Sequence, residues 1–289
     1  MENPIEQSGM EAAASRPGPI LCAHLLRKVD AKLLELLASL RPDEWDLETV
    51  AKEWRVRDVA AHLLDTALRK LSLVRDGWMV EKSPIRSAED LVALVNRLNR
   101  EGVAVYRRLS PSMLIALMSL VCRESAEFHE SLDPFEPAAF AVSWAGEQLS
   151  LNWFDTAREL TERWHHQQQI RRATSRPGIM TPELYHPVLD CFLRGLPHAY
   201  RQIEAAPGAM VRVEVSGECG GVWQIRREAA GWILAGPVDR WNARIVVPQE
   251  LAWLVFTKGI AREEAAAKVR VEGDRSLGIR VLELTAIVA

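Results

Sequence analysis

The sequence predicts an α-helical N-terminal domain, a bundle of four long helices, followed by a small α+β C-terminal domain. Three observations carry this. Apolar residues recur at helical spacing from Ile20 to about Thr174, as in helices with one buried face. At Val211 the period drops to two, with Val211, Val213 and Val215 alternating with Arg212 and Glu214, the pattern of a half-buried strand. Between these regions lie Ser175-Arg176-Pro177-Gly178 and Ala206-Pro207-Gly208, breakers that close one unit and open another. The expected division is a loose tail over 1–19, a helix bundle over 20–178, a helical connector over 179–208 and a small α+β domain over 209–289.

The first helix follows from Leu26, Val29, Leu33, Leu36, Leu37 and Leu40, with Pro19 at its start and Pro42 beyond its stop. The second runs from about Val56 through Val59, Ala60, Leu63, Ala67, Leu71 and Val74 to Gly77, with Asp58 in its first turn, where a carboxylate complements the helix dipole. Ser87 and Asp90 form a capping box with Asp in place of Glu, opening a third helix through Leu91, Leu94, Val95, Leu98 and Val105. A further helical stretch covers about 112–132, after Ser110-Pro111, and a proline-bearing loop covers 133–147. The fourth long helix covers about 149–174, and a connector helix about 182–203. In the small domain, Gly220-Gly221 turns into a strand at 222–225, and strands follow at 232–234, 243–247 and 269–272. Short helices are expected at 248–256 and 276–282.

Composition narrows the function. The 289 residues carry 36 basic and 39 acidic side chains, a net charge of −3. Such a balance offers no bulk attraction for nucleic acid or an anionic membrane surface. No apolar run approaches the 18 or so residues of a membrane span, and the start reads as a polar tail, not a secretory signal. Cys22, Cys122, Cys191 and Cys219 are scattered, without zinc-ribbon or redox spacing. A cytoplasmic protein is expected. Ten Trp against three Tyr and six Phe implies bulky anchors that also need an N–H partner.

Two segments can carry chemistry. In Trp54-Arg55-Val56-Arg57-Asp58-Val59-Ala60-Ala61-His62-Leu63, Val59, Ala60 and Leu63 flank His62 and turn its imidazole inward. In Glu159 to Arg171, Glu162 and His166 stand four apart, stacked on one helix face that continues inward at Ile170 and Ala173. A carboxylate and two imidazoles are costly to bury unpaired. A divalent cation taking lone pairs from all three removes that cost and keeps a fourth position open, the pattern of a catalytic zinc site. Taken alone, an acid and a His at this spacing more often form only a solvated pair or hydrogen bond. His165 offers the i,i+3 alternative of di-iron bundles, which need a second such motif. His129 is expected on a wet face, and His186 and His198 in the connector are accounted for by packing or capping. His24 has no acid partner at helical spacing, and there is no nucleophile elbow or phosphate cradle.

The Trp-x-Val-x-Asp-Val-Ala-x-His-Leu run, Trp54 to Leu63, and the Glu-x-x-x-His run with Trp inside, Glu162 to His166, resemble the metal-binding domain of the mycothiol-dependent maleylpyruvate isomerase family, within the DinB-like four-helix proteins. Leu98-Asn99, Leu109-Ser110-Pro111 and Trp144-Ala145-Gly146 add to the likeness. Val271-Glu272-Gly273-Asp274 before a final helix is similar to the sterol-carrier-like domain attached to such bundles. The resemblance implies that His62, Glu162 and His166 bind a divalent metal, zinc foremost, with iron or nickel open to the same donor set. It also implies mycothiol or another low-molecular-weight thiol as cofactor, and an arginine of the second domain on the substrate, for which Arg270 lies nearest the matching motif. Where family members carry Asp three residues after the second His, this chain has Gln169, which leaves the thiol open.

The leading expectation is a metal-dependent isomerase or S-transferase acting on a small molecule. A thiol held as thiolate by the cation adds to a double bond, permits rotation and is eliminated, while the small domain closes over the site. A metal-dependent hydrolase with an activated water, and a non-catalytic ligand-binding or regulatory protein, are the alternatives. Sequence alone assigns no catalytic residue, no substrate and no oligomeric state.

Overall fold

The computed structural model of the chain describes residues 17–78, 85–236 and 238–287. Of the expected tail, residues 1–16 lie outside these; Pro17 and Gly18 are tied down where their carbonyls accept from Arg194.

Five long helices come first: α1 (Ala23–Ala38), α2 (Val56–Lys70), α3 (Ala88–Tyr106), α4 (Pro111–Ser131) and α5 (Asn152–Ala173). Their starts follow local chemistry. The Asp58 carboxylate accepts from the Arg55 backbone N–H at 3.0 Å, opening α2. Ser87 Oγ accepts from Asp90 N–H at 3.1 Å, and the Asp90 carboxylate reaches Arg86 N–H instead of the cap residue itself. Pro111 occupies the first turn of α4, where its missing N–H costs nothing. The expected continuation of α2 to Gly77 changes character at Leu71–Arg75, a single π-helical turn.

α1, α4, α2 and α5 pack in a ring, each against the next, and α3 lies outside it against α2. The ring has four helices but not the expected four: α4, expected only as a further helical stretch, takes the place of the third long helix, which lies outside as an added layer. Inside the ring, Leu33, Val59, Leu64, Met118 and Ile170 form an apolar cluster.

α6 (Pro182–Leu193) and the short α7 (Leu196–Ala199) lead to a mixed sheet. Its strands are β1 (Met210–Ser216), β2 (Gly221–Glu228), β3 (Gly231–Ala235), β4 (Ala243–Pro248) and β5 (Arg270–Gly273), ordered β3-β2-β1-β4-β5. β1 runs antiparallel to β2, with Val213 opposite Trp223, and parallel to β4, with Val213 opposite Ile245. The predicted alternation holds: Val211, Val213 and Val215 are buried, while on the other face Arg244 bridges Glu214 at 2.6 Å and Glu272 at 2.9 Å. α8 (Gln249–Phe256), α9 (Arg262–Ala266) and α10 (Arg275–Gly278) complete the region; α9 has no counterpart among the elements expected from sequence.

The helical and sheet regions meet at α5 and α6. Trp164 stacks on Tyr185 with ring centroids 4.2 Å apart and meets Trp253 edge-on at 6.2 Å. Its indole donates to Ile179 O at 2.9 Å, the N–H partner that a buried Trp requires. All four cysteines are free and buried. Among the described residues no helix is long and apolar enough to cross a membrane.

Candidate metal centre

α2 and α5 are neighbours in the ring, and the inward turn of His62 on one meets Glu162 and His166 on the other. His62 Nε2 and His166 Nε2 each lie 3.2 Å from the same Glu162 oxygen, Oε1. One ligand atom from each residue lies within 4.8 Å of the other two. Donors held at about 2.0–2.1 Å by a tetrahedral ion stand about 3.3–3.4 Å apart. Two of the three edges match that spacing, and the donor set of two imidazoles and one carboxylate suits a borderline divalent cation. The imidazoles are buried at 3% and 7% exposure while the Glu162 side chain keeps 26%, so solvent reaches the group from the carboxylate side.

The electrostatics separate the three. Burial pushes the His62 imidazole down to about 4 against the opposing pull of Glu162, so the ring is neutral near pH 7. Burial alone would raise the Glu162 carboxyl, but His166 and His62 hold it well below the usual carboxylate range. A neutral imidazole with a free lone pair and an ionised carboxylate are the forms a cation requires.

The walls come from nearby chain. Trp54 covers both rings, with centroids 4.6 Å from His62 and 5.9 Å from His166. It is held by a tight turn in which Trp54 O accepts from Thr49 Oγ1 at 2.8 Å and Trp54 N–H donates to Ala51 O at 2.7 Å. His166 Nδ1 meets Gln169 Oε1 at 2.9 Å. His62 Nδ1 is buried with no hydrogen-bond partner among the described residues.

Other sequence candidates fall elsewhere. His165 donates from Nδ1 to Thr161 O at 2.8 Å and is not among the three converging residues. His129, expected on a wet face, is 1% exposed and pairs with Thr156 Oγ1 at 3.0 Å. Its position extends the buried stripe of Cys122, Ser125 and Ala126 along α4, so periodicity wins over its charged neighbours. His186 stacks on Trp223 and contacts the Cys219 and Gly220 carbonyls. Arg270 is an exposed strand-edge residue paired with Glu272 at 3.1 Å. The sheet region docks on the Trp164 side of α5. Trp164 is two residues from both Glu162 and His166, about 200° around the helix, so the docking lies on the face opposite the triad.

Sequence reasoning missed the buried ionic layer next to the triad. Lys70 Nζ lies 2.9 Å from Asp155 and 3.2 Å from Glu159. Arg163 joins Glu159 at 3.2 Å, Ser125 Oγ at 2.6 Å, and Asp30. A small, partly open cavity touches Asp30, Glu159, Arg163 and Glu162, linking this layer to the triad. The signal was present: Asp155, Glu159, Glu162 and His166 form one i, i+4, i+7, i+11 stripe on α5.

A family profile described as "Mycothiol maleylpyruvate isomerase N-terminal domain" matches residues 26–171, just over half of the chain. The chain belongs to that family. Two crystal structures share its fold. One is a histidine-to-alanine mutant of mycothiol-dependent maleylpyruvate isomerase, 11% identical, covering 86% of this chain and 91% of that one at a TM-score of 0.52. The other is mycothiol-dependent maleylpyruvate isomerase itself, 12% identical, covering 81% and 86% at 0.50. No curated protein matches the sequence.

Proposed function

We propose that the protein is a metal-dependent isomerase or S-transferase that uses a low-molecular-weight thiol, mycothiol by family likeness, on a small-molecule substrate. His62, Glu162 and His166 would hold one divalent cation, zinc foremost. The observation that carries this reading is the convergence of two imidazole nitrogens on one carboxylate oxygen at 3.2 Å each, from two helices, at the spacing of a tetrahedral ligand set. The catalytic unit would be the helical part, 20–178, with 179–208 as connector and 209–289 as a supporting domain.

A cation there supplies Lewis acidity, which favours the thiolate form of a bound thiol near neutral pH. The chain's own residues do the rest. Three protein donors leave a position open, and the half-buried Glu162 side marks the route to it. Trp54 closes the ring faces of both histidines and keeps water from them. The burial that makes His62 neutral keeps its lone pair available without loss of a proton.

Metal analysis tests the reading. Wild type purified without chelators is expected to carry about one divalent ion per chain, while His62→Ala and His166→Ala fold but lose it. Variants that fold and keep full metal would sink the assignment. Adding a small thiol to cobalt-substituted protein separates thiol use from hydrolysis: a sulfur-to-cobalt charge-transfer band is expected, and an unchanged spectrum favours activated water.

A further inference from the structure

We infer that Gln169 is a positioning residue: its side-chain carbonyl holds His166 as the Nδ1–H tautomer and so aims a bare Nε2 at Glu162. This rests on the metal-binding reading for its consequence, but not for its geometry. Gln169 lies three residues beyond His166 on α5, is 5% exposed, and brings Oε1 to 2.9 Å from His166 Nδ1. A carbonyl oxygen only accepts, so the shared proton belongs to Nδ1. A neutral imidazole carries one N–H, which leaves Nε2 with its lone pair toward Glu162 Oε1 at 3.2 Å. Two acceptors facing each other at that distance are favourable only with positive charge between them, a proton or a cation.

The two histidines are therefore unequal. His62 has no partner for Nδ1 among the described residues, so apart from its Nε2 contact with Glu162 it is oriented by packing between Trp54 and His166, with ring centroids 4.6 Å away on each side. His166 is fixed by a directed hydrogen bond as well as by His165, whose ring lies 3.9 Å away. A partner on the far nitrogen of a ligating His sets ring orientation and tautomer, and its loss lowers metal affinity about 10- to 100-fold. Gln169 does this without adding charge. The triad's single carboxylate leaves a divalent centre with one net positive charge, which a second acid would cancel.

Gln169→Leu removes the acceptor at similar size, and Gln169→Glu keeps it. In metal-free, histidine-labelled protein at alkaline pH, nitrogen NMR should show the Nδ1–H tautomer of His166 in wild type and Gln169→Glu, and a shift toward Nε2–H in Gln169→Leu. Zinc affinity, by chelator competition, should fall about 10- to 100-fold in Gln169→Leu and recover in Gln169→Glu. An Nε2–H tautomer in wild type would overturn the inference, since the amide would then be donating and Nε2 closed to a cation. So would zinc binding by Gln169→Leu within about twofold of wild type. If wild type takes up no zinc, the metal reading fails while the tautomer measurement still decides the role of Gln169. Should Gln169→Leu not fold, the wild-type tautomer and Gln169→Glu decide it.

Discussion

Gly102 shows how much one missing methyl sets. It lies within α3, where a Cβ would come 2.1 Å from the Asp65 carboxyl carbon on α2. Asp65 cannot step aside cheaply, because Arg69 grips it at 2.7 Å and Asn99 holds Arg69 at 2.8 Å. In an open helix, Gly→Ala gains about 0.5–1 kcal/mol; here overpacking of about 1–3 kcal/mol opposes it. Gly102→Ala is expected to destabilise the protein by about 1 kcal/mol or more in urea unfolding. In an Asp65→Ala background the same change should become neutral or stabilising. The sequence carried no sign of this, since a helical glycine announces a close approach only once the neighbour is known. His62, Glu162 and His166 were legible because spacing and flanking apolar residues fix which way a helical side chain faces. Gln169 was read only as a departure from a family pattern; its bond to His166 needs the rotamer, which no spacing rule supplies.

α5 is the element on which the molecule turns. Its inner face carries a run of buried charge, and partners reach it from the three other ring helices: Lys70 from α2, Asp30 from α1 and the Ser125 hydroxyl from α4. Removing one member of such a buried network strands the others. Arg163→Met is expected to cost about 3–5 kcal/mol by leaving the buried Asp30 without its cationic partner and Glu159 with Lys70 alone, measured by chemical denaturation of metal-free protein. A loss below about 1 kcal/mol would mean that the layer is solvated, like a surface pair. The helix itself was legible from end to end, but its polar stripe gave the face and not the partners. Lys70, at the end of α2, meets Asp155 near the start of α5 only because the helices run side by side at that level.

At the scale of the whole molecule, the buried network ties stability to pH. Burial pushes His129 from 6.5 down to about 3. Glu159 lies at about 2 instead of 4.5, because Lys70 and Arg163 outweigh its burial. Both folded values lie below the unfolded ones. The unfolded chain therefore binds more protons than the native one, from about 6.5 down to about 3 for the imidazole and from 4.5 to about 2 for the carboxyl. Stability is complete above these windows and declines as pH falls through them. Between pH 7 and 5.5, wild type should lose about 1 kcal/mol more than His129→Gln, compared by urea titration; parallel losses would show that His129 is protonated in the native state. The change of texture near residue 209 was plain in the sequence, and all five strands were placed within a few residues. How the sheet docks was not legible, because Trp164, Tyr185 and Trp253 read as ordinary core residues until they meet.

That meeting has a further consequence. One apolar cluster extends from Leu26 and Leu160 through Trp164 and Tyr185 to Val213 and Trp253, so the rod that bears Glu162 and His166 also anchors the neighbouring fold by its back. The two halves cannot be traded like cassettes. A chimera with a foreign partner would have to rebuild the slot that receives one indole, or leave the helix free to roll and carry its histidines out of register.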